Sequence, residues 1–182
     1  RNWLDSVPDK DFEESDYFRH YMGLLNSERL NQILEKYDLE VNFYLHAKFQ
    51  EYADTFKSIS KRIHLISFGE VAVNEMLMRC RMLITDYSSV CWDILYQDKP
   101  SLFYQFDIEK YNEAHGSYID METELFGDRA ATQEQLLDYL EETVQNDFRL
   151  KPEYEKMRGE YLQFKDHEHS RHICEEIKKR FH

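Results

Sequence analysis

Between residues 41 and 104, short apolar runs alternate with segments whose apolar positions recur every three or four residues. Val41 to Leu45, Ile63 to Ser67, Met82 to Thr85 and Ser101 to Tyr104 carry no helical period and are predicted strands. Between them, Ala47 to Phe56 sets Phe49, Tyr52, Ala53 and Phe56 on one stripe, and Val71 to Met78 repeats at helical spacing. Val90, Asp93, Ile94 and Gln97 continue a further helix, which Asp98-Lys99-Pro100 ends because proline cannot extend it. Strands and helices taking turns at this spacing predict βαβ units, a parallel sheet and an α/β fold.

The flanks are more helical. Residues 1 to 15, with Pro8 and the acids Asp9, Asp11, Glu13 and Glu14, predict a surface loop. Asp16 to Leu25 and Ser27 to Tyr37 predict helices, the second carrying Leu30, Ile33 and Leu34. Phe106 to Ala131 shows no period and holds Gly116 and Gly127; it is expected to be a long irregular loop of the functional kind. Thr132-Gln133-Glu134-Gln135 is a capping box for a helix through Leu136, Leu137, Leu140 and Val144. Pro152 opens another helix, and a last one, from Ser170 to Arg180, is expected to turn Ile173, Cys174 and Ile177 inward.

The central stretch is Met82 to Leu95. An apolar strand, predicted to be buried on both faces, runs into Asp86-Tyr87-Ser88-Ser89 and then into a helix. Either serine hydroxyl can cap that helix by accepting from its first-turn N–H groups. In a parallel sheet this junction lies at the carboxyl edge of the strands, where ligands bind, and helix-end amides beside two hydroxyls suit a phosphate. Both readings, ordinary cap and phosphate site, are compatible with the local pattern.

Composition narrows the partners. At 182 residues the chain is one domain with 42% hydrophobic and 15% aromatic residues, enough for a real core. Asp plus Glu exceed Lys plus Arg by 36 to 23, a net charge of −13. That balance disfavours a nucleic-acid backbone as partner but leaves room for a phosphorylated small molecule. Cys80, Cys91 and Cys174 have no metal-ligand spacing and predict small core residues in a reducing compartment. His167, His169 and His172 invite a zinc reading, but no cysteine lies near and carboxylates are interleaved, so a solvated helix start is the simpler expectation. The Tyr17 to Leu25 helix is flanked by acids, which anionic lipid repels, so its aromatics are expected in packing. The chain opens at Arg1 without an initiator methionine, and an excised piece of a longer protein is expected.

Leu83-Ile84-Thr85-Asp86-Tyr87-Ser88-Ser89, then Asp93, Asp98-Lys99-Pro100, Phe103-Tyr104, Asp107 and Tyr111 closely resemble the CDP-glycerol glycerophosphotransferase family, which builds teichoic acids and related capsular polymers of bacteria. Leu45-His46 resembles the family's His-Pro element with Ala47 in place of proline. Gly116, Tyr118 and Asp120 resemble its Arg-Gly-Phe-Tyr-x-Asp loop, with His115 and Ser117 departing from it. Arg1 resembles the end of a Pro-Thr-Trp-Arg element, and Phe164, Asp166, Ser170 and Arg171 a closing pattern in which His167 replaces glycine.

The resemblance implies a Rossmann-like, C-terminal, donor-binding domain of a GT-B-type transferase, spanning residues 1–182, with the acceptor-side half and a first strand outside this chain. It implies that a polymer hydroxyl attacks the phosphorus carrying glycerol in CDP-glycerol and that CMP leaves. Ser88 and Ser89 would hold the donor phosphates, Asp86 of the same turn would be donor-binding with them, Asp93 would accept from a donor hydroxyl, Arg1 would pair with a phosphate, and His46, the catalytic residue, would donate to a phosphate oxygen. The general base would be a histidine of the other half, so this chain alone is expected to bind donor without turnover. The resemblance further implies a lipid-linked polymer acceptor and a place on the inner face of the cell membrane; the sequence holds no metal-ligand cluster, and no metal or other cofactor is expected. Other readings stay open: a CDP-ribitol donor, a nucleotide-sugar transferase or epimerase, or a non-enzymatic Rossmann-like interaction module.

Overall fold

The structure is a computed structural model. It describes residues 12–45, 47–114, 116–162, 164 and 166–181, with the side chains of residues 47, 48 and 50 left aside. After a 3-10 turn at Phe12–Glu14 come α1 (Asp16–Leu25), α2 (Glu28–Lys36), β1 (Val41–Tyr44), a 3-10 segment (Ala47–Thr55), β2 (Ile63–Ile66), α3 (Val73–Arg79), β3 (Leu83–Thr85) and α4 (Cys91–Tyr96). The chain continues through β4 (Ser101–Tyr104), α5 (Ile108–Ala114), β5 (Asp128–Ala130), α6 (Gln133–Gln145), α7 (Pro152–Tyr161) and α8 (His169–Phe181).

Among the described residues every strand pairing is parallel, as alternation predicts, but the strands there divide into two sheets, β1-β2 and β3-β4-β5. β4 is the central strand of the larger one and all four of its residues are buried. Successive side chains of a strand point to opposite faces. Leu102 and Tyr104 accordingly join a core built from α1, α2 and α6, while Phe103 joins a second core with Cys91 and Leu95 of α4 and Phe126. β3 was the strand expected to be buried on both faces, yet its Leu83 and Ile84 are half-buried and Thr85 alone is fully inside.

Local chemistry explains most boundaries. Ser15, Ser27 and Thr132 cap α1, α2 and α6 by accepting from Phe18, Leu30 and Gln135 N–H groups at 3.1, 3.3 and 3.2 Å. The side chain of Gln135 returns to Ala131 N–H at 3.0 Å, closing the box one residue upstream of the cap. α4 ends with Asp98 in the left-handed region at φ 57°, where Lys99 N–H donates to Ile94 C=O at 3.1 Å. That is a Schellman closure with aspartate in the usual glycine position.

Four expectations are corrected. Ala47–Thr55 is a 3-10 segment, not an α-helix: Phe49 and Tyr52, three residues apart, fit a three-residue repeat equally well. Phe106 to Ala131 is not irregular throughout, since it contains α5 and the third strand of the larger sheet. α8 buries none of its residues; Ile173 is 61% and Ile177 52% exposed, because an amphipathic helix needs a facing element and none lies over this one among the described residues. Cys174 is likewise exposed, whereas Cys91 is core.

The Asp-Lys-Pro motif turns out to be a structural knot. Asp98 Oδ1 pairs with Nε of buried Arg158 at 2.8 Å, linking α4 to α7. Lys99 Nζ donates to Leu77 and Met78 carbonyls, both at 2.8 Å, and so closes the end of α3. Pro100 is buried beneath them.

Candidate functional site

The turn between β3 and α4 stands at the carboxyl edge of the larger sheet. It is held open from below by Gln105, fully buried just past the end of β4, whose Nε2 donates to Asp86 C=O at 3.0 Å and whose backbone N–H donates to Ala130 C=O at 2.8 Å. Asp86 Oδ1 accepts Tyr87 N–H at 2.6 Å. Tyr87 lies flat on Tyr111 of α5 with ring centroids 3.6 Å apart, and its hydroxyl donates to Asp107 Oδ1 at 2.9 Å. The turn is thus clamped to β4 and to α5, and its shape owes little to Ser88 and Ser89.

That reverses one expectation. Neither serine caps α4: the cap residue is Val90, in helical conformation and without a side-chain bond, and the serines take part only through their carbonyls, which accept Cys91 and Trp92 N–H groups at 3.3 and 3.1 Å. Val90 already turns as part of the helix, so the hydroxyls sit one step too early to reach the first-turn amides. The consequence is that both hydroxyls stay unspent among the described residues, Ser88 half-buried and Ser89 exposed. α4 has six residues, so its dipole is short and any anion there depends mainly on the two hydroxyls.

Asp93 lies in the first turn of α4, four residues beyond Ser89 and exposed, its side chain directed to no partner among the described residues. Asp86, Ser88, Ser89 and Asp93 are therefore gathered within one turn and its helix. His46 and Arg1 lie outside the described residues, as does His115. Asp120 is a turn-former: it accepts Glu122 N–H at 2.8 Å, and that bond, with one from Thr123, holds its carboxyl below the usual range. Tyr118 beside it is fully exposed.

Gln105 was not singled out by sequence. The available signal was a polar amide closing the apolar run Ser101 to Tyr104, at the edge where ligands bind. Its Oε1 is buried with no partner among the described residues. The histidines at the start of α8 are engaged separately, His169 with the Tyr96 hydroxyl and His172 with Asp166, both at 2.8 Å. Among the described residues no three His, Cys, Asp or Glu side chains are placed to hold a metal, and no helix is long and apolar enough to cross a membrane.

Comparison with known proteins gives this geometry its context. The family model described as CDP-glycerol:poly(glycerophosphate) glycerophosphotransferase matches residues 9–179. The chain is 27% identical over 157 residues to the minor teichoic acid biosynthesis protein GgaB of Bacillus subtilis, covering 85% of this chain and 17% of that protein. It is 33% identical over 96 residues to the teichoic acid poly(ribitol-phosphate) polymerase of Bacillus spizizenii, covering 53% and 14%, and 27% identical over 146 residues to the teichoic acid glycerol-phosphate transferase of Staphylococcus aureus, covering 78% and 34%. The chain thus spans about a third or less of each relative's length. The solved wall teichoic acid polymerase TagF superposes with a TM-score of 0.63 at 21% identity, over 87% of this chain and 39% of that one. The fold is therefore an α/β domain with parallel sheets, shared with part of that polymerase.

Proposed function

The chain belongs to the CDP-glycerol:poly(glycerophosphate) glycerophosphotransferase family, and from that premise we propose that it is the donor-binding, C-terminal domain of a transferase that moves glycerol phosphate from CDP-glycerol to a hydroxyl of a growing teichoic-acid-like polymer. The acceptor oxygen bonds to the phosphorus that carries glycerol, the bond from that phosphorus to the bridging oxygen breaks, CMP leaves, and the acceptor proton passes to a base in the companion half of the enzyme. Ser88 and Ser89 donate to the pyrophosphate. Asp93 accepts from a donor hydroxyl, and Asp86 holds the turn in shape through Tyr87 N–H. By the family resemblance Arg1 pairs with a donor phosphate and His46 donates to a phosphate oxygen; a general acid such as His46 contributes about 10²–10⁴-fold in rate. The polymer end is lipid-linked, and the full enzyme works on the inner face of the cell membrane.

One observation carries this reading: two hydroxyls at the carboxyl edge of a parallel sheet, neither used by the fold. The names of the relatives support a second donor, since one of those cited is a poly(ribitol-phosphate) polymerase. Calorimetric titration of the chain with CDP-glycerol and with CDP-ribitol tests both. Hydrogen bonds to a charged group contribute about 1.5–3 kcal/mol, so Ser88→Ala and Ser89→Ala are each expected to weaken donor binding roughly ten- to a hundredfold. A folded chain that binds neither donor, or binds indifferently to both substitutions, refutes the reading.

A further inference from the structure

Beside the carboxyl ends of β4 and β5 lies a second cleft, open to solvent and of about 360 Å³, lined by Arg19 and His20 of α1, Tyr104 of β4, and Ala131, Thr132 and Gln133 at the start of α6. Tyr104 is only 1% exposed, yet its hydroxyl has no hydrogen-bond partner among the described residues. The oxygen is not among the sealed unpartnered atoms of the core, so it meets the cleft and is free to donate there. Burial pushes this hydroxyl up to about 12, so it stays protonated and remains a donor at neutral pH.

Other donors surround the cleft. α6 has thirteen residues and a developed dipole. Thr132 Oγ1 takes Gln135 N–H and Gln135 Oε1 takes Ala131 N–H, which leaves the first-turn N–H groups of Gln133 and Glu134 without an acceptor among the described residues. Arg19 is exposed and forms no ion pair among them. His20 Nδ1 donates to Asp16 C=O at 2.6 Å while its ring lies flat on Phe106, 3.9 Å between centroids. The nearest carboxylates are already matched, Glu134 by Arg29 at 2.8 Å and Asp16 by Lys110 at 2.9 Å.

We propose that this cleft binds a phosphate group, held by the Tyr104 hydroxyl, the first-turn amides of α6 and Arg19. It is a site apart from Ser88 and Ser89. Ser88 follows β3 and Thr132 follows β5, so β4 intervenes and two strand spacings, about 10 Å, separate them. They also belong to opposite faces of the sheet, since α4 packs in one core and α6 in the other. The ligand is a phosphate ester whose substituents fill the remaining cleft. That it is a phosphodiester of the polymer rather than the donor rests on the proposed transfer reaction; the phosphate site itself does not.

Amide NMR of the chain titrated with inorganic phosphate, bis(glycerol) phosphate and CDP-glycerol tests this. Phosphate is expected to move the Thr132, Gln133 and Glu134 signals saturably. Tyr104→Phe is expected to weaken that response about tenfold, and Gln133→Pro, tolerated at a first helical position, to weaken it as well. Ser88→Ala is expected to leave it unchanged. Tyr104→Phe is also expected not to lower the melting temperature, because the hydroxyl has no structural partner; if that variant does not fold, Arg19→Gln is read in its place. Tighter saturation by bis(glycerol) phosphate assigns the polymer, and tighter saturation by CDP-glycerol assigns the donor. No shift at these amides with millimolar phosphate, or a response that survives Tyr104→Phe intact or vanishes with Ser88→Ala, overturns the site. A folded chain that binds no CDP-glycerol, or binds it indifferently to Ser88→Ala and Ser89→Ala, would refute the donor reading without touching these signals.

Discussion

Gly127, the residue before β5, packs directly against Ser101 and Phe103 of β4, and replacing it tests the packing of the larger sheet. A Cβ built there would fall 2.9 Å from Cε2 of Phe103 and closer still to the carbonyl oxygen of Ser101. Phe103 can shift its ring only within the core of Cys91, Leu95 and Phe126. Ser101 cannot yield, because it belongs to a strand paired on both sides. The strain must therefore move the start of β5 and with it Asp128, which pairs with Lys151 at 2.9 Å and accepts the Tyr154 hydroxyl at 2.9 Å. Overpacking costs about 1–3 kcal/mol, and loosening a hydrogen bond to a charged group adds about 1–2. Gly127→Ala is thus expected to destabilise by about 3 kcal/mol, a fall in melting temperature of roughly 6–12 °C for a domain of this size. Gly159 provides the opposite control. It sits in α7 with nothing within 4 Å of its would-be Cβ, so Gly159→Ala should stabilise by about 0.5 kcal/mol through helix propensity alone. Urea and thermal unfolding followed by circular dichroism measure both. A Gly127→Ala protein that melts with the parent, or two variants that shift in the same direction, would show that the close approach does not constrain the sheet.

Asp98→Ala should cost about 3 kcal/mol: about 1 because alanine lacks the short polar side chain that lets aspartate adopt φ 57°, and about 2 for the Arg158 charge, a buried-pair cost discounted because Asp98 is 52% exposed. Asp98→Asn keeps the conformation and should lose only part of that, so equal urea midpoints for the two variants would contradict the assignment. Burial pushes the Cys91 thiol up to about 12, and Cys174 is exposed; iodoacetamide near neutral pH should therefore label Cys174 first and Cys91 only on unfolding, as read by peptide mass spectrometry. Equal labelling rates in the folded protein would be inconsistent with the described core.

What the chain settles by itself is local. Caps at Ser15, Ser27 and Thr132, the stop at Asp98-Lys99-Pro100 and the parallel pairing of short apolar runs all follow from near-neighbour chemistry, which a linear pattern records. The turn at Asp86 to Ser89 was legible for the same reason, together with its place at the strand ends. Tertiary structure decided the rest. The helical conformation already adopted at Val90 determined that the serines do not cap α4, and only the arrangement of β4 and α5 revealed that Gln105 and the Tyr87–Tyr111 pair do the clamping instead. β5 escaped notice because a three-residue strand with charged Asp128 and Arg129 has no apolar period; it exists because β4 offers it an edge. The inward face expected of α8 failed for the converse reason, since amphipathicity states that a helix can be covered but not that a partner is there. Periodicity encodes which side of an element is apolar, and only the packed chain determines what that side meets.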